Sequence, residues 1–220
     1  MNKPFLRWLP ALLALALFGC SSAPASREPQ NLYLLKQEIK AYIDQGYYEQ
    51  DLAHDAAVAE AWILQRTAQR GQKLALVFDI DETTLSNLPH MRAQDFGYVP
   101  DHWDAWVAEA RAPVIEPVRR IYQAARARGV AVIFLTGRKE SDRPGTEKNL
   151  HADGFTDYLA IHFKPVEPAQ TTEAFKTAMR KKYTEEGWTI IANIGDQRSD
   201  LNGGYAERTF KLPNPFYITK

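Results

Sequence analysis

Cysteine occurs once in these 220 residues, at Cys20. No intrachain disulfide can form, and no cluster of cysteines is present to hold a metal. Histidine numbers five, and His151 and His162 do not have the spacing of metal ligands. Neither sign of charge dominates, since Lys plus Arg and Asp plus Glu each number 27. No global field therefore favours a nucleic-acid polymer or a basic partner. The apolar run Leu9–Phe18 is too short to favour a transmembrane helix. Beyond residue 30 there is no internal repeat and no low-complexity segment. The length suits one sizeable domain with an extension, and a core of that size needs no disulfide or structural metal. Five tryptophans and ten tyrosines leave aromatic surface for stacking.

The first residues read as a targeting segment. Lys3 and Arg7 form a positive region ahead of Leu9–Phe18, and Leu17-Phe18-Gly19-Cys20 resembles the bacterial lipobox. The resemblance implies cleavage before Cys20, lipidation of its thiol and anchoring to a membrane without spanning it. Ser21 after the cysteine resembles the outer-membrane sorting pattern of Gram-negative lipoproteins, which implies a protein facing the periplasm. The division expected is a signal peptide at 1–19, a Ser-, Ala- and Pro-rich tether at 20–30, a helical extension at 31–71 and a main domain at 72–220.

Leu32, Leu35, Ile39 and Ile43 form one helical stripe, interrupted at Gly46, and a second helix is expected from about Leu52. From Lys73 the pattern alternates. Strands are expected at Leu74–Phe78, Val130–Leu135, Leu159–Phe163, Trp188–Ile194 and Thr209–Leu212, with helices between them. Gly129 and Gly187 stand where helices end. The stretch from about Glu82 to Pro113 reads as irregular. Such alternation indicates an α/β fold, a Rossmann-like parallel sheet with helices on both faces. Ligands in these folds bind at the carboxyl ends of the strands.

The strand ends carry the chemistry. The first stops at Asp79-Ile80-Asp81-Glu82-Thr83-Thr84, which places two carboxylates on one side of the emerging loop. Such a pair needs compensating charge, which a hard divalent cation supplies. One acid can then be a nucleophile and the other a proton donor and acceptor. The second strand ends at Thr136-Gly137-Arg138 and the fourth at Gly195-Asp196-Gln197-Arg198-Ser199-Asp200, with Phe175-Lys176-Thr177 on the helix before it. Each string alone also suits a turn, a cap or a solvated face. Their order along the chain is what singles them out.

Together these strings, with Phe210-Lys211-Leu212-Pro213-Asn214-Pro215, resemble the class B acid phosphatases of the haloacid dehalogenase superfamily. That group includes plant vegetative storage proteins and bacterial lipoprotein phosphatases. The resemblance covers about Lys73 to Ile218 and implies a Mg²⁺-dependent hydrolase of phosphomonoesters, 5′-nucleotides among the candidates. It implies Asp79 as the nucleophile that forms an aspartyl-phosphate and Asp81 as the general acid and base. Thr136 and Lys176 would bind phosphate. Asp79, Asp196 and the Asp81 main-chain carbonyl would hold the metal, with Asp200 orienting its waters. Arg198 stands where the family often has an aromatic residue, and exposure is expected for it.

The stretch 87–113 resembles the family's small cap. Its Trp103 and Trp106 either stack on an aromatic leaving group or pack the cap itself. Two other readings stay open. Dehalogenation is disfavoured by Asp81, which the superfamily's dehalogenases lack. A non-catalytic periplasmic binding lipoprotein is disfavoured by the complete acid set.

Overall fold

The computed structural model describes residues 28–68 and 73–219. The expected signal peptide, Cys20 and most of the tether lie outside the described residues, as does the junction near residue 71. Asn31 starts the first helix, its side chain accepting the Tyr33 amide, and α1 runs Leu32–Asp44. Gly46 adopts φ +76°, a left-handed turn that glycine takes without steric cost. The second helix, α2, starts directly after it and spans Tyr47–Arg66, earlier than the expected Leu52. A single left-handed residue redirects the chain, so no loop is needed between the helices.

Five strands follow, β1 (Lys73–Phe78), β2 (Ala131–Thr136), β3 (Ala160–Phe163), β4 (Trp188–Gly195) and β5 (Thr209–Lys211). They form one parallel sheet in the order β3-β2-β1-β4-β5. The chain builds outward from β1 to β3, then crosses back to place β4 on the other side of β1. That reversal opens a crevice at the carboxyl ends of β1 and β4. The expected α/β architecture is therefore the observed one, with boundaries shifted by one residue at several strand ends.

Alternation along β1 feeds two cores. Leu74, Leu76 and Phe78 face one side, in a cluster with Ile63, Val118, Ile121 and Phe155. Ala75 and Val77 face the other, with Ile133, Leu135 and Tyr183. Helices α5 (Glu116–Arg126) and α6 (Arg143–Ala152) contribute to the first side and α7 (Thr172–Glu185) to the second. Helix α2 packs on the first side too. Its Ala59 and Ile63 are fully buried, and Trp62 Nε1 donates to the Ile191 carbonyl at 2.8 Å. Burying one such aliphatic side chain contributes about 1.5–3 kcal/mol. The amino-terminal helices thus cover the sheet and share its core.

Between β1 and α5 the chain forms two helices, α3 (Leu88–Ala93) and α4 (Pro100–Glu109), where the sequence reads as irregular. Both carry proline in the first turn, where a missing N–H is harmless. Only two side chains in each are buried, Met91 with His90 and Trp106 with Val107. That is too few for a visible helical stripe. A last helix, α8 (Arg198–Leu201), follows β4.

Candidate active site

The loop after β1 is a tight coil. Three successive amides, from Thr83, Thr84 and Leu85, donate to the Ile80 carbonyl, and Thr84 Oγ1 donates to the Asp79 carbonyl at 2.6 Å. Ile80 and Leu85 are fully buried beneath it. This anchoring holds Asp79 and Asp81 above the sheet end. Glu82, between them and the buried threonines, has φ +54°, a left-handed conformation uncommon for a side-chain-bearing residue.

Asp79 meets Lys176, which reaches across from α7. The Lys176 ammonium donates to Asp79 Oδ1 and to Asp200 Oδ1, the latter at 2.7 Å. All three residues are buried. Asp196, at the end of β4, completes the cluster, and carboxylate oxygens of Asp79, Asp196 and Asp200 lie within 4.8 Å of one another. Gly195 makes this packing possible, since a Cβ there would lie 2.5 Å from Asp200 Cβ. Burial pushes the Asp79 carboxyl up, against the pull of Lys176, and the other acids add to the rise. Burial and Asp200 raise Asp196 to about 7. Burial alone would lower the Lys176 ammonium, but Asp200 and Asp79 outweigh it and raise it.

Asp81 is held separately. Arg138, from the loop after β2, forks onto it, with Nη2 2.6 Å from Oδ1 and Nε 3.2 Å from Oδ2. Asn87 Nδ2 donates to Oδ1 at 2.8 Å. The Arg138 guanidinium is itself fixed, donating to Thr146 Oγ1 at 2.9 Å and lying 5.5 Å from the Trp103 ring centroid. Thr136 is buried at the end of β2, where its Oγ1 accepts the Arg138 amide at 3.1 Å. Arg198 is exposed, as expected from its sequence.

Asp79, Asp81, Lys176, Asp196 and Asp200 all line one cavity of about 480 Å³. The same cavity has an apolar and aromatic lining from Met91 of α3, Trp103 of α4, Phe96 and Tyr98 between those helices, and Phe216 near the carboxyl terminus. The two cap tryptophans part company here. Trp103 faces this cavity, whereas Trp106 is buried, stacks on His90 and donates its indole N–H to Asn87 Oδ1 at 2.9 Å. Trp106 packs the cap because its one polar atom is already spent on Asn87, and only Trp103 is placed to meet a ligand.

Four site residues have no role in the sequence reading. Glu82 is fully buried and accepts from the Asn87 amide, Asn87 Nδ2 and the Tyr217 hydroxyl. Burial pushes it up to about 7. Asn87 bridges Glu82, Asp81 and Trp106. Asn214 donates to Asp196 Oδ2 at 2.6 Å. The signal for Asn87 and Asn214 was their place beside or inside the family strings. Glu82 stands inside the first string with no role given to it, and Tyr217 carries no signal.

The donor set fits a hard divalent cation. It consists of carboxylate oxygens with no nitrogen or sulfur ligand, and three carboxylates face one ammonium. Both Asp200 oxygens are taken, by Lys176 and by the Gln197 amide at 2.8 Å. Asp79 and Asp196 are the better placed to bind an ion directly.

A family model described as HAD superfamily, subfamily IIIB (Acid phosphatase), matches residues 9–220. The stem 28 kDa glycoprotein of Glycine max is 32% identical over 217 residues, 96% of this chain and 82% of the glycoprotein. Acid phosphatase 1 of Solanum lycopersicum is 38% identical over 146 residues, 64% of this chain and 57% of that enzyme. Among solved structures, the class C acid phosphatase from Bacillus anthracis superposes with a TM-score of 0.68 at 22% identity. The match covers 84% of this chain and 86% of the other, and it is a likeness of fold.

Proposed function

This chain belongs to the acid phosphatases of HAD subfamily IIIB, which makes it a phosphomonoester hydrolase, and we propose that it works through an aspartyl-phosphate on Asp79 with Mg²⁺ as its cation. The observation that carries this reading is the pairing of two acids with two separate cations around one cavity. Asp79 is paired with buried Lys176, and Asp81 with Arg138.

Asp79 attacks phosphorus in line with the leaving oxygen. Lys176 stays beside the attacking carboxylate and offsets the charge that spreads over the phosphoryl oxygens. Asp81, held by Arg138 and Asn87, gives its proton to the departing alcohol. It then takes a proton from the water that cleaves the acyl-phosphate. Thr136 would supply a hydroxyl at the phosphate, from the strand end where Gly137 and Arg138 line the cavity. A divalent ion held by Asp79, Asp196 and the Asp81 carbonyl would neutralise phosphoryl charge. The need for it follows from electrostatics, since a phosphate dianion would otherwise enter a cluster in which carboxylates outnumber the ammonium.

The apolar side of the cavity favours esters with an aromatic group, nucleoside 5′-monophosphates among them. Trp103 is the residue placed to stack on it. The lipobox at Leu17–Cys20 supports a further part of the reading, an outer-membrane lipoprotein facing the periplasm through lipid on Cys20. Mass spectrometry of the mature terminus checks that anchor, and an unmodified terminus elsewhere would refute it.

Hydrolysis of p-nitrophenyl phosphate tests the catalytic reading. Activity should vanish after exhaustive chelation and return with Mg²⁺. Full turnover by metal-free protein, with metal content verified by elemental analysis, would overturn the role of the cation. No turnover of any phosphomonoester by the metal-loaded protein would overturn the reading as a whole.

A further inference from the structure

The last residues of the chain run back across the site, after β5 has left the sheet. Asn214 Nδ2 donates to Asp196 Oδ2 at 2.6 Å, and Gln197 Nε2 donates to the same oxygen at 2.7 Å. Two amide donors on one oxygen fix the carboxylate plane. They leave Oδ1, which among the described residues takes only the Thr83 hydroxyl at 3.3 Å, as the oxygen free for a cation. Two residues from Asn214, Phe216 wedges its ring against Tyr48 of α2 and Phe96 of the cap, at 5.1 and 5.8 Å between centroids. Tyr217 then donates its hydroxyl to Glu82 Oε2 at 2.6 Å. Glu82 in turn receives the Asn87 amide at 2.5 Å, and Asn87 holds Asp81.

One short segment therefore touches both halves of the site through different atoms. We propose that residues 213–219 form a positioning strap for the reaction, in which Asn214 orients Asp196 toward its cation and Tyr217 fixes the Glu82–Asn87 link that aims Asp81. The inference rests on the reading above as a metal-dependent phosphatase. It goes beyond that reading by giving two residues outside the acid motifs separable effects, one on the metal and one on turnover.

The geometry explains the separation. Among the described residues, the Asn214 side chain reaches the Asp196 side and not the Asp81 side. Its own Oδ1 is occupied within the strap, accepting the Phe216 amide at 2.8 Å. Tyr217 reaches the Glu82 side through its hydroxyl, and among the described residues that hydroxyl makes no hydrogen bond to Asp79, Asp196 or Asp200. Hydrogen-bond partners one step behind a ligand typically change metal affinity or activity by about 10- to 100-fold when removed.

The test uses the full chain with Asn214→Ala, Asn214→Ser and Tyr217→Phe. Serine can still accept the strap's own amide but is too short to reach Asp196, so it separates loss of the turn from loss of orientation. Mg²⁺ binding is read by titration calorimetry without substrate, and kcat and KM are read at saturating Mg²⁺. We expect both Asn214 variants to bind Mg²⁺ roughly 10- to 100-fold more weakly, with kcat largely recovered at high Mg²⁺. We expect Tyr217→Phe to keep Mg²⁺ affinity and KM while kcat falls about tenfold. Variants that bind Mg²⁺ and turn over like wild type would overturn the strap. So would a uniform fall in active fraction with no change in metal affinity or in kcat against KM, since that marks a purely structural segment. A wild-type protein that neither binds Mg²⁺ nor hydrolyses a phosphomonoester would instead refute the functional reading, and the strap with it.

Discussion

Asp79 and Asp81 have a single residue between them, yet they live in opposite electrostatic settings. Asp79 belongs to a buried floor where Asp196 and Asp200 crowd a single ammonium. Asp81 belongs to the wall, where a guanidinium fork and an amide satisfy it and where it is partly exposed. The floor is short of positive charge and the wall is not. Two identical side chains can thus take different tasks because their surroundings differ, not because their chemistry does. The surplus negative charge on the floor is what a metal would offset, so that a phosphoryl group can enter.

The largest expected effect falls on the floor. On the proposed reading Asp79→Asn removes the negative charge that both the attack and the metal need, so kcat should drop at least roughly a thousandfold while the fold persists. Circular dichroism and steady-state kinetics on p-nitrophenyl phosphate check both halves. A folded Asp79→Asn protein with near-wild-type kcat would place the nucleophile elsewhere.

Lys176→Met should show how much the floor depends on its one cation. It leaves Asp79 and Asp200 buried without their partner, a change that costs about 3–5 kcal/mol. Denaturant unfolding of the metal-free protein measures it, and a loss near zero would mean that those acids are already neutral there. Arg138→Lys should instead spare stability and lower kcat, because the charge remains and the fork is lost.

Proton linkage sharpens the contrast further. Asp196 and Glu82 stand near 7 in the folded protein, against about 4 for such groups unfolded. Between those values the folded state holds more protons than the unfolded chain, so stability must fall as pH rises from about 4 to about 7. Metal-free protein should therefore melt at higher temperature at pH 5 than at pH 7.5. Mg²⁺ should raise the melting temperature most at the higher pH, where the acids are ionised; at a hundred times its dissociation constant a ligand contributes about 2.7 kcal/mol. A melting temperature of metal-free protein that rises from pH 5 to pH 7.5 would contradict the charge surplus.

The smallest effect on catalysis separates Trp103 from Trp106. Trp103→Ala should raise KM for a nucleoside monophosphate about tenfold more than for glycerol phosphate, since one stacking contact is worth about 1–3 kcal/mol. Trp106→Ala should lower stability by about 3–5 kcal/mol and treat both substrates alike. Equal losses on both substrates from Trp103→Ala would make the cap aromatics packing residues only.

The amino-acid sequence by itself determined the sheet and the place of the site. Apolar runs alternating with helical stretches require a parallel sheet, because strands buried on both faces must be apolar throughout and parallel neighbours need crossovers. The strings at Asp79, Thr136 and Asp196 pointed to the candidate site, because strand ends in such sheets point to one edge, and Lys176 on the helix before β4 was singled out by its order among them. The cap helices were not legible, since each buries only two side chains. Which tryptophan meets the cavity was not legible either, since Trp103 and Trp106 differ by less than one helical turn. The burial of Glu82, the fork of Arg138 on Asp81 and the return of Asn214 and Tyr217 over the site were decided by tertiary structure alone. Each joins residues from separate elements, 57 positions apart for Arg138 and Asp81 and 135 for Tyr217 and Glu82. Local patterning reports which face of an element is buried, but not which distant side chain will meet it there.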